Sequence, residues 1–167
     1  MSGLEGLYRE VVLDHYRNPR GKGTLPIPPA EKAEGYNPYC GDEVTVYLED
    51  SAGTVRLAWE GVGCSISQAS ASMMARGVTG KSAEEARHLL QRFREMLDLH
   101  GDRISEPEPQ AGSEPDRAKQ AELGDLMALE GVVKLPVRLK CALLPWTTLA
   151  EALERVAPDG AREEGGT

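Results

Sequence analysis

An alternation of apolar and polar residues in the first half of the chain restricts the fold most. Apolar side chains occupy every second position in two short runs, Val44, Val46 and Leu48 in the first and Val55, Leu57 and Trp59 in the second. Residues 50–53, Asp-Ser-Ala-Gly, lie between the runs and are typical turn formers. This pattern predicts an antiparallel hairpin, and residues 61–66 could add a short third strand.

Helical periodicity surrounds the predicted hairpin. Helices are predicted in segments 4–17, 67–76, 82–97, 121–130 and 149–156. The evidence is mainly apolar residues at helical spacing, except in segment 67–76, where small residues dominate. Gly77 and Gly80 should end the second of these helices, and Ser82 with Glu85 forms a capping box at the start of the third. A helical turn carrying Cys141 precedes the last helix. Helices around a small sheet indicate an α+β fold.

The segments between and after the predicted elements are a connector, an insertion and a tail. Residues 20–38 contain four prolines, which favours an extended connector over a helix or a central strand. Residues 100–120 are rich in Glu, Pro, Gly and Ser and should form an exposed insertion, and residues 158–167 a flexible C-terminal tail. A chain of 167 residues fits one domain, here 1–157.

The charge balance argues against two classes of partner. There are 27 acidic and 19 basic residues, giving a formal net charge of −8, which is the wrong sign for nucleic acid or an anionic membrane. The sequence also shows no apolar run long enough to span a bilayer and no export signal. We therefore expect a cytoplasmic protein.

Three cysteines, Cys40, Cys64 and Cys141, carry the chemistry. An odd number cannot form a closed disulfide framework, which indicates a reducing compartment. They could simply be small buried side chains. However, Cys40 and Cys64 lie in glycine-containing turns, and Cys141 falls at a predicted helix start, where free N–H groups and nearby cations lower a thiol pKa. We therefore expect three thiolates.

Asp42 adds an oxygen donor beside these sulfurs. It follows Cys40 by two positions at the start of a predicted strand, so both side chains can point the same way. If the turns meet, Cys40, Asp42, Cys64 and Cys141 form a tetrahedral set suited to Zn²⁺, and iron would also accept it. A carboxylate among thiolates is uncommon in structural zinc sites and suggests a labile metal. Alternatively, Asp42 is an ordinary turn residue.

Other polar residues fit ordinary roles better. His15 and His88 lie within predicted helices, where surface or half-buried packing is expected, and His100 begins the insertion. None belongs to a cysteine motif. Arg138 and Lys140 flank Cys141 and either attract an anionic sulfur donor or solvate the helix start.

The three cysteine motifs together resemble a known family. Asn-Pro-x-Cys-Gly-Asp at 37–42, Gly-x-Gly-Cys-x-Ile-x-x-Ala-Ser at 61–70 and Leu-Lys-Cys-Ala at 139–142 are similar to motifs of the U-type iron–sulfur cluster assembly proteins, which comprise IscU, SufU and the NifU N-terminal domain. The similarity spans about residues 4–156.

The resemblance implies a fold and a function. The fold would be a three-stranded antiparallel sheet packed on one side by several α-helices, with a solvent-facing metal site at one end. Cys40, Cys64 and Cys141 would receive sulfur from a cysteine desulfurase, bind zinc or iron with Asp42, and support a [2Fe-2S] cluster for apoproteins or other SUF components.

Two departures from the IscU pattern favour the SufU type. Lys140 replaces the histidine that IscU proteins carry before the last cysteine, and the 100–120 insertion resembles the extra segment of SufU proteins. A cluster scaffold, a zinc-dependent sulfurtransferase and a zinc-stabilised adaptor all stay open. As sulfur acceptor, Cys40 is the first choice because glycine follows it in a turn, and Cys141 is the second. Residues 135–138, Leu-Pro-Val-Arg, lack one proline of the IscU chaperone-binding segment, so chaperone recognition is not expected.

Overall fold

A computed structural model describes residues 3–102, 123–134 and 136–157 of the chain. Most of the expected insertion, from residue 103 onward, and the expected tail at 158–167 lie outside these described residues.

The described sheet has three antiparallel strands in the order β1 (Glu31–Asn37), β2 (Asp42–Ser51) and β3 (Thr54–Val62). The predicted β2–β3 hairpin is confirmed, and its turn consists of Ala52 and Gly53, both with positive φ, as tight hairpins require.

The origin of the third strand was predicted wrongly. The third strand is β1, which lies within the proline-rich connector. A strand can form there because Pro29 precedes β1 and Pro38 follows it, so no proline interrupts β1 itself. Residues Gly61 and Val62 instead extend β3, and Ser65 and Ile66 already belong to the following helix.

Four α-helices and one 3₁₀ segment complete the described structure. They are α1 (Gly3–Arg17), α2 (Ser65–Val78), α3 (Ala83–Asp102), the 3₁₀ segment (Gly124–Lys134) and α4 (Pro136–Val156). Gly77 does not end α2, which continues to Val78. Residues expected to form a separate turn around Cys141 belong to the single helix α4, which accommodates Pro145 in its interior. Within the described residues, no helix is both long and apolar enough to cross a membrane.

The core lies between one sheet face and the helices. Ala33, Val46 and Trp59 form a fully buried cross-strand row, and helices α2 and α4 contact the sheet. On the helical side of the core, Trp146 of α4 stacks on Phe93 of α3, with ring centroids 4.7 Å apart. The α+β architecture predicted from the sequence is confirmed.

His15 joins three elements beneath the surface. Its Nδ1 lies 2.7 Å from Ser72 Oγ on α2, and its Nε2 lies 2.8 Å from Asp125 Oδ2 on the 3₁₀ segment. The side chain is fully buried, deeper than the sequence suggested. The packing role expected for His15 is therefore confirmed, since these contacts tie α1 to α2 and to the 3₁₀ segment.

A short segment before β1 closes the outer edge of β3. Trp59 N–H donates to the Gly21 carbonyl at 3.0 Å, and Gly23 N–H donates to the Trp59 carbonyl at 2.8 Å. The ammonium of Lys22 lies over the Trp59 ring, 5.4 Å from its centroid. We call residues 20–23 the edge strap.

Candidate metal centre

The three cysteine motifs meet at one end of the sheet, where β1 turns into β2. Asn37 and Asp42 are the last paired residues of these strands, and Cys40 lies in the loop between them. Cys64 is the N-cap residue of α2, and Cys141 lies in the second turn of α4. Three separate elements therefore bring their motif residues to one place.

The donor atoms of Cys40, Asp42 and Cys141 form a compact group. They all lie within 4.8 Å of one another, and the sulfurs of Cys40 and Cys141 are 3.2 Å apart. Cys64 Sγ lies 3.9 Å from Asp42 Oδ2, at the side of this group. The predicted meeting of the four residues is thus observed, with Cys64 adjoining a closer set of three.

Asp42 is held by a backbone contact to α2. Its Oδ1 accepts a hydrogen bond from the Cys64 N–H at 2.9 Å, and the residue is fully buried. Gly63, with φ of +154°, makes this approach possible, because a Cβ there would lie 2.2 Å from Asp42 Oδ1. The carboxylate therefore links the β1–β2 end of the sheet to the start of α2.

Accessibility differs among the three thiols. Cys40 and Cys64 are half-buried, whereas Cys141 is completely buried. Gly41, beside Cys40, has φ of +70° and open space where a Cβ would project. Among the three, only Cys40 therefore combines exposure with a place in an interstrand loop.

The expectation of three ready thiolates is wrong for Cys141 in the metal-free protein. Burial raises the pKa of the Cys141 thiol above its ordinary value, and hydrogen bonds with Asp42, Cys40 and Cys64 raise it further. Cys141 is also the sixth residue of α4, beyond the first four residues whose N–H groups are free. A cation in the centre would oppose these effects.

The two basic residues near Cys141 have different partners. Arg138 interacts with Cys64, whose negative charge and hydrogen bond raise the pKa of the guanidinium. The ammonium of Lys140 lies over the ring of Tyr39, 4.0 Å from its centroid. Arg138 thus faces the centre, while Lys140 contacts the exposed side of the Cys40 loop.

Sequence reasoning missed two polar residues at the centre. Asn37 is buried and its Nδ2 lies 3.8 Å from Cys141 Sγ. Ser67 Oγ donates to the Cys64 carbonyl at 3.1 Å and lies 3.9 Å from Cys64 Sγ. The position of Asn37 inside the first cysteine motif was the available signal, whereas nothing in the pattern singled out Ser67.

The histidines lie outside the centre where they are described. His15 is engaged with Ser72 and Asp125, and His88 lines a shallow cavity of about 370 Å³ with Lys81 and Leu89. The side chain of His100 lies outside the described residues.

Three thiols and one carboxylate are a donor set for a thiophilic metal. Sulfur ligands suit zinc, iron and iron–sulfur clusters, and a single oxygen ligand is compatible with each of them. Together with the α+β fold, this centre defines a small protein with a candidate metal site at one end of a three-stranded sheet.

The chain belongs to the NifU-like N-terminal domain family, whose model matches residues 7–142. Over 166 residues it is 39% identical to the zinc-dependent sulfurtransferase SufU of Bacillus subtilis, covering 99% of this chain and 97% of that protein. It is 38% identical over 158 residues to the iron–sulfur cluster assembly scaffold protein IscU of Streptococcus pyogenes, covering 94% and 89% respectively.

A solved structure shares the fold. A proposed iron–sulfur cluster assembly scaffold protein for the SUF system from Fervidobacterium islandicum superposes with a TM-score of 0.70 at 31% identity. The match covers 90% of this chain and 99% of that one. The resemblance drawn from the three cysteine motifs is therefore confirmed.

Proposed function

We propose that this chain works in iron–sulfur cluster assembly, where its metal centre receives persulfide sulfur from a cysteine desulfurase. The convergence of Cys40, Asp42 and Cys141 within 4.8 Å carries the proposal. The names of the two relatives described above, a sulfurtransferase and a scaffold, support the same process. We expect this chemistry in the cytoplasm, because the three thiols must stay reduced.

Four residues would hold the resident metal. We assign Cys40, Asp42, Cys64 and Cys141 as ligands of zinc, with three sulfurs and one oxygen in the tetrahedral arrangement that zinc prefers. Bound zinc would keep the thiols deprotonated and unpaired. Arg138, against Cys64, would offset part of the negative charge of the ligand set.

Cys40 is the proposed sulfur acceptor. Its half-buried side chain lies in the loop between β1 and β2, whereas the buried Cys141 offers no surface to an incoming donor. The Cys40 thiolate attacks the outer sulfur of the desulfurase persulfide. The S–S bond of the donor breaks and the desulfurase cysteine leaves as a thiolate, so the transfer needs no oxidant or reductant. Cys141 is the second choice as acceptor, and because it is buried it would receive the sulfur from Cys40, whose Sγ lies 3.2 Å away.

The basic residue before Cys141 favours a zinc-bound sulfur relay. Lys140 cannot act as an imidazole ligand, and its ammonium is turned onto the Tyr39 ring. In this form the protein is an enzyme, a sulfurtransferase, that passes sulfur to other SUF components. The full-length similarity to the B. subtilis sulfurtransferase supports it.

A cluster scaffold is the second candidate. Its support is the grouping of Cys40, Asp42 and Cys141 with Cys64 beside them, and the 38% identity to an IscU scaffold. In this form Cys40, Cys64 and Cys141 hold a transient [2Fe-2S] cluster for transfer to apoproteins. The third reading, a zinc-stabilised adaptor without sulfur chemistry, requires metal removal to unfold the chain. The large buried core, most of which lies away from the centre, argues against it.

One anaerobic experiment separates these functions. The protein is mixed with a SufS-type or IscS-type cysteine desulfurase, L-cysteine and Fe²⁺, while visible absorption, alanine production and persulfide by mass spectrometry are followed. Cys40→Ser, Cys64→Ser and Cys141→Ser are compared with Ser51→Ala, a substitution at the exposed last residue of β2.

Each outcome has a clear meaning. Faster desulfurase turnover with persulfide on Cys40 and no chromophore indicates a relay. A chromophore that depends on all three cysteines indicates a scaffold. No stimulation, no persulfide and no chromophore would overturn the proposal.

A further inference from the structure

The side chain of Asn37 contacts two parts of the metal centre at once. Asn37 is the last residue of β1, is 5% exposed, and pairs across the sheet with Asp42. This pairing directs both side chains to the same face of the sheet, toward the buried Cys141. Asn37 is therefore a polar residue in the interior that must find partners at the centre.

The first part is the loop that carries Cys40. Asn37 Oδ1 accepts a hydrogen bond from the Tyr39 N–H at 3.1 Å, and the Asn37 carbonyl accepts one from the Gly41 N–H at 2.8 Å. These two bonds enclose Cys40 between the two anchored residues. The side-chain bond is an Asx turn, which fixes the direction in which a loop leaves a strand.

The second part is the sulfur of Cys141. A backbone N–H can only donate, so the amide oxygen of Asn37 must face Tyr39, and the amide nitrogen must face the other way. There Nδ2 lies 3.8 Å from Cys141 Sγ. The geometry of the loop thus determines which amide atom meets the sulfur.

Two other neighbours of this sulfur are acidic groups. The Cys40 sulfur lies 3.2 Å from it and a carboxylate oxygen of Asp42 lies within 4.8 Å, and both groups carry negative charge when ionised. The Asn37 amide offers a neutral N–H donor instead. An N–H···S bond restricts the direction of a thiolate and stabilises it without occupying a metal coordination position.

We propose that Asn37 is a positioning residue of the metal centre, whose amide N–H orients the Cys141 sulfur while its amide oxygen sets the Cys40 loop. The inference rests on the proposed function in one respect only, namely that a metal occupies the centre. Its consequence is that Cys141 stays in place when Cys40 leaves the centre to accept sulfur, since Asn37 contacts the Cys141 sulfur and the Cys40 loop through different atoms.

Two substitutions separate the two contacts. In Asn37→Ser the hydroxyl can still accept from the Tyr39 N–H, but it is too short to reach Cys141. In Asn37→Ala both contacts are lost. Asn18→Ser is the matched control, because Asn18 is an exposed asparagine whose amide donates to Asp14, away from the centre. Thermal unfolding of each variant with and without zinc checks that it folds.

The test uses metals alone, without a desulfurase. Zinc affinity is measured by competition with a chromophoric chelator, and Co²⁺ binding is followed by its thiolate charge-transfer absorption. We expect Asn37→Ser to lower zinc affinity about tenfold, as loss of a hydrogen bond to a metal ligand typically does, and to weaken the charge-transfer band. Asn37→Ala should show the same loss together with faster alkylation of Cys40 by iodoacetamide in the metal-free protein.

The results distinguish this inference from the proposed function. If Asn37→Ser binds zinc and Co²⁺ as the unmodified protein does, the contact to Cys141 has no positioning role and the inference is wrong. The same conclusion holds if Asn18→Ser loses as much affinity as Asn37→Ser. Failure of sulfur transfer with the expected metal effects present would overturn only the proposed function.

Discussion

Replacement of Asp42 tests whether its carboxylate supports the fold as well as the metal. Asp42 is fully buried, and its Oδ1 accepts the Cys64 N–H at 2.9 Å. Asp42→Ala and Asp42→Asn both remove the charge, but only asparagine retains an oxygen that can accept this bond. The difference between the two variants therefore isolates one hydrogen bond at the start of α2.

The expected size follows from that contact. A buried donor left without a partner costs about 1–3 kcal/mol, so Asp42→Ala should be less stable than Asp42→Asn by that amount. With a urea m-value of about 2 kcal/mol/M, the unfolding midpoints should differ by roughly 0.5–1.5 M. The measurement is urea unfolding of the metal-free, reduced proteins at one pH. Asp50→Ala, at an exposed position of β2, is the control and should move the midpoint little.

Coincident midpoints for Asp42→Ala and Asp42→Asn would refute the reasoning, because the Cys64 N–H would then have no need of an acceptor. The same variants test the lability expected of an oxygen ligand. Loss of the carboxylate should slow transfer of a bound cluster to an apoprotein, and faster transfer from Asp42→Ala would contradict that expectation.

Three further predictions concern other parts of the molecule. In metal-free protein treated with diamide, a disulfide should form between Cys40 and Cys141, whose sulfurs are 3.2 Å apart, and zinc should prevent it. Peptide mapping detects the bond, and a different pairing would count against the described centre. Lys140→His should increase formation of an iron–sulfur chromophore relative to Lys140→Gln, because imidazole is a ligand and an amide is a poor one. Equal absorption from both variants would show that the residue before Cys141 does not select the function. His15→Ala should lower the free energy of unfolding by about 2–4 kcal/mol, since a buried side chain and two hydrogen bonds are lost. Urea unfolding measures it, and an effect no larger than that of His88→Ala would contradict the joining role of His15.

The sequence predicted the parts of the fold that depend on local pattern. The β2–β3 hairpin follows from strict alternation around Ala52 and Gly53, which can adopt the turn. The sequence does not indicate the strand β1, because alternation is weak in Glu31–Asn37 and prolines lie on both sides of it. Its strand conformation depends on pairing with β2, which is a tertiary effect.

The site was predicted in composition but not in its electrostatics. Motif residues identified Cys40, Asp42, Cys64 and Cys141, whereas the burial of Cys141 depends on the packing of α4 against β1 and β2. A helix position alone suggested a lowered thiol pKa, and burial reverses that direction. The ligand roles, the single domain at 1–157, the insertion and the tail stay predictions.

The edge strap at residues 20–23 makes the two borders of the sheet unequal. One border, along β3, already has main-chain partners at Trp59. Along the other, β1 presents Glu31, Lys32 and Glu34 to solvent, and charged side chains disfavour pairing with a flat strand of another molecule. One edge of the sheet is therefore partly covered by the edge strap, and the other carries charged side chains. Among the described residues, β1 is therefore the border better placed to receive a further strand, and such a strand would need charges that complement Glu31, Lys32 and Glu34.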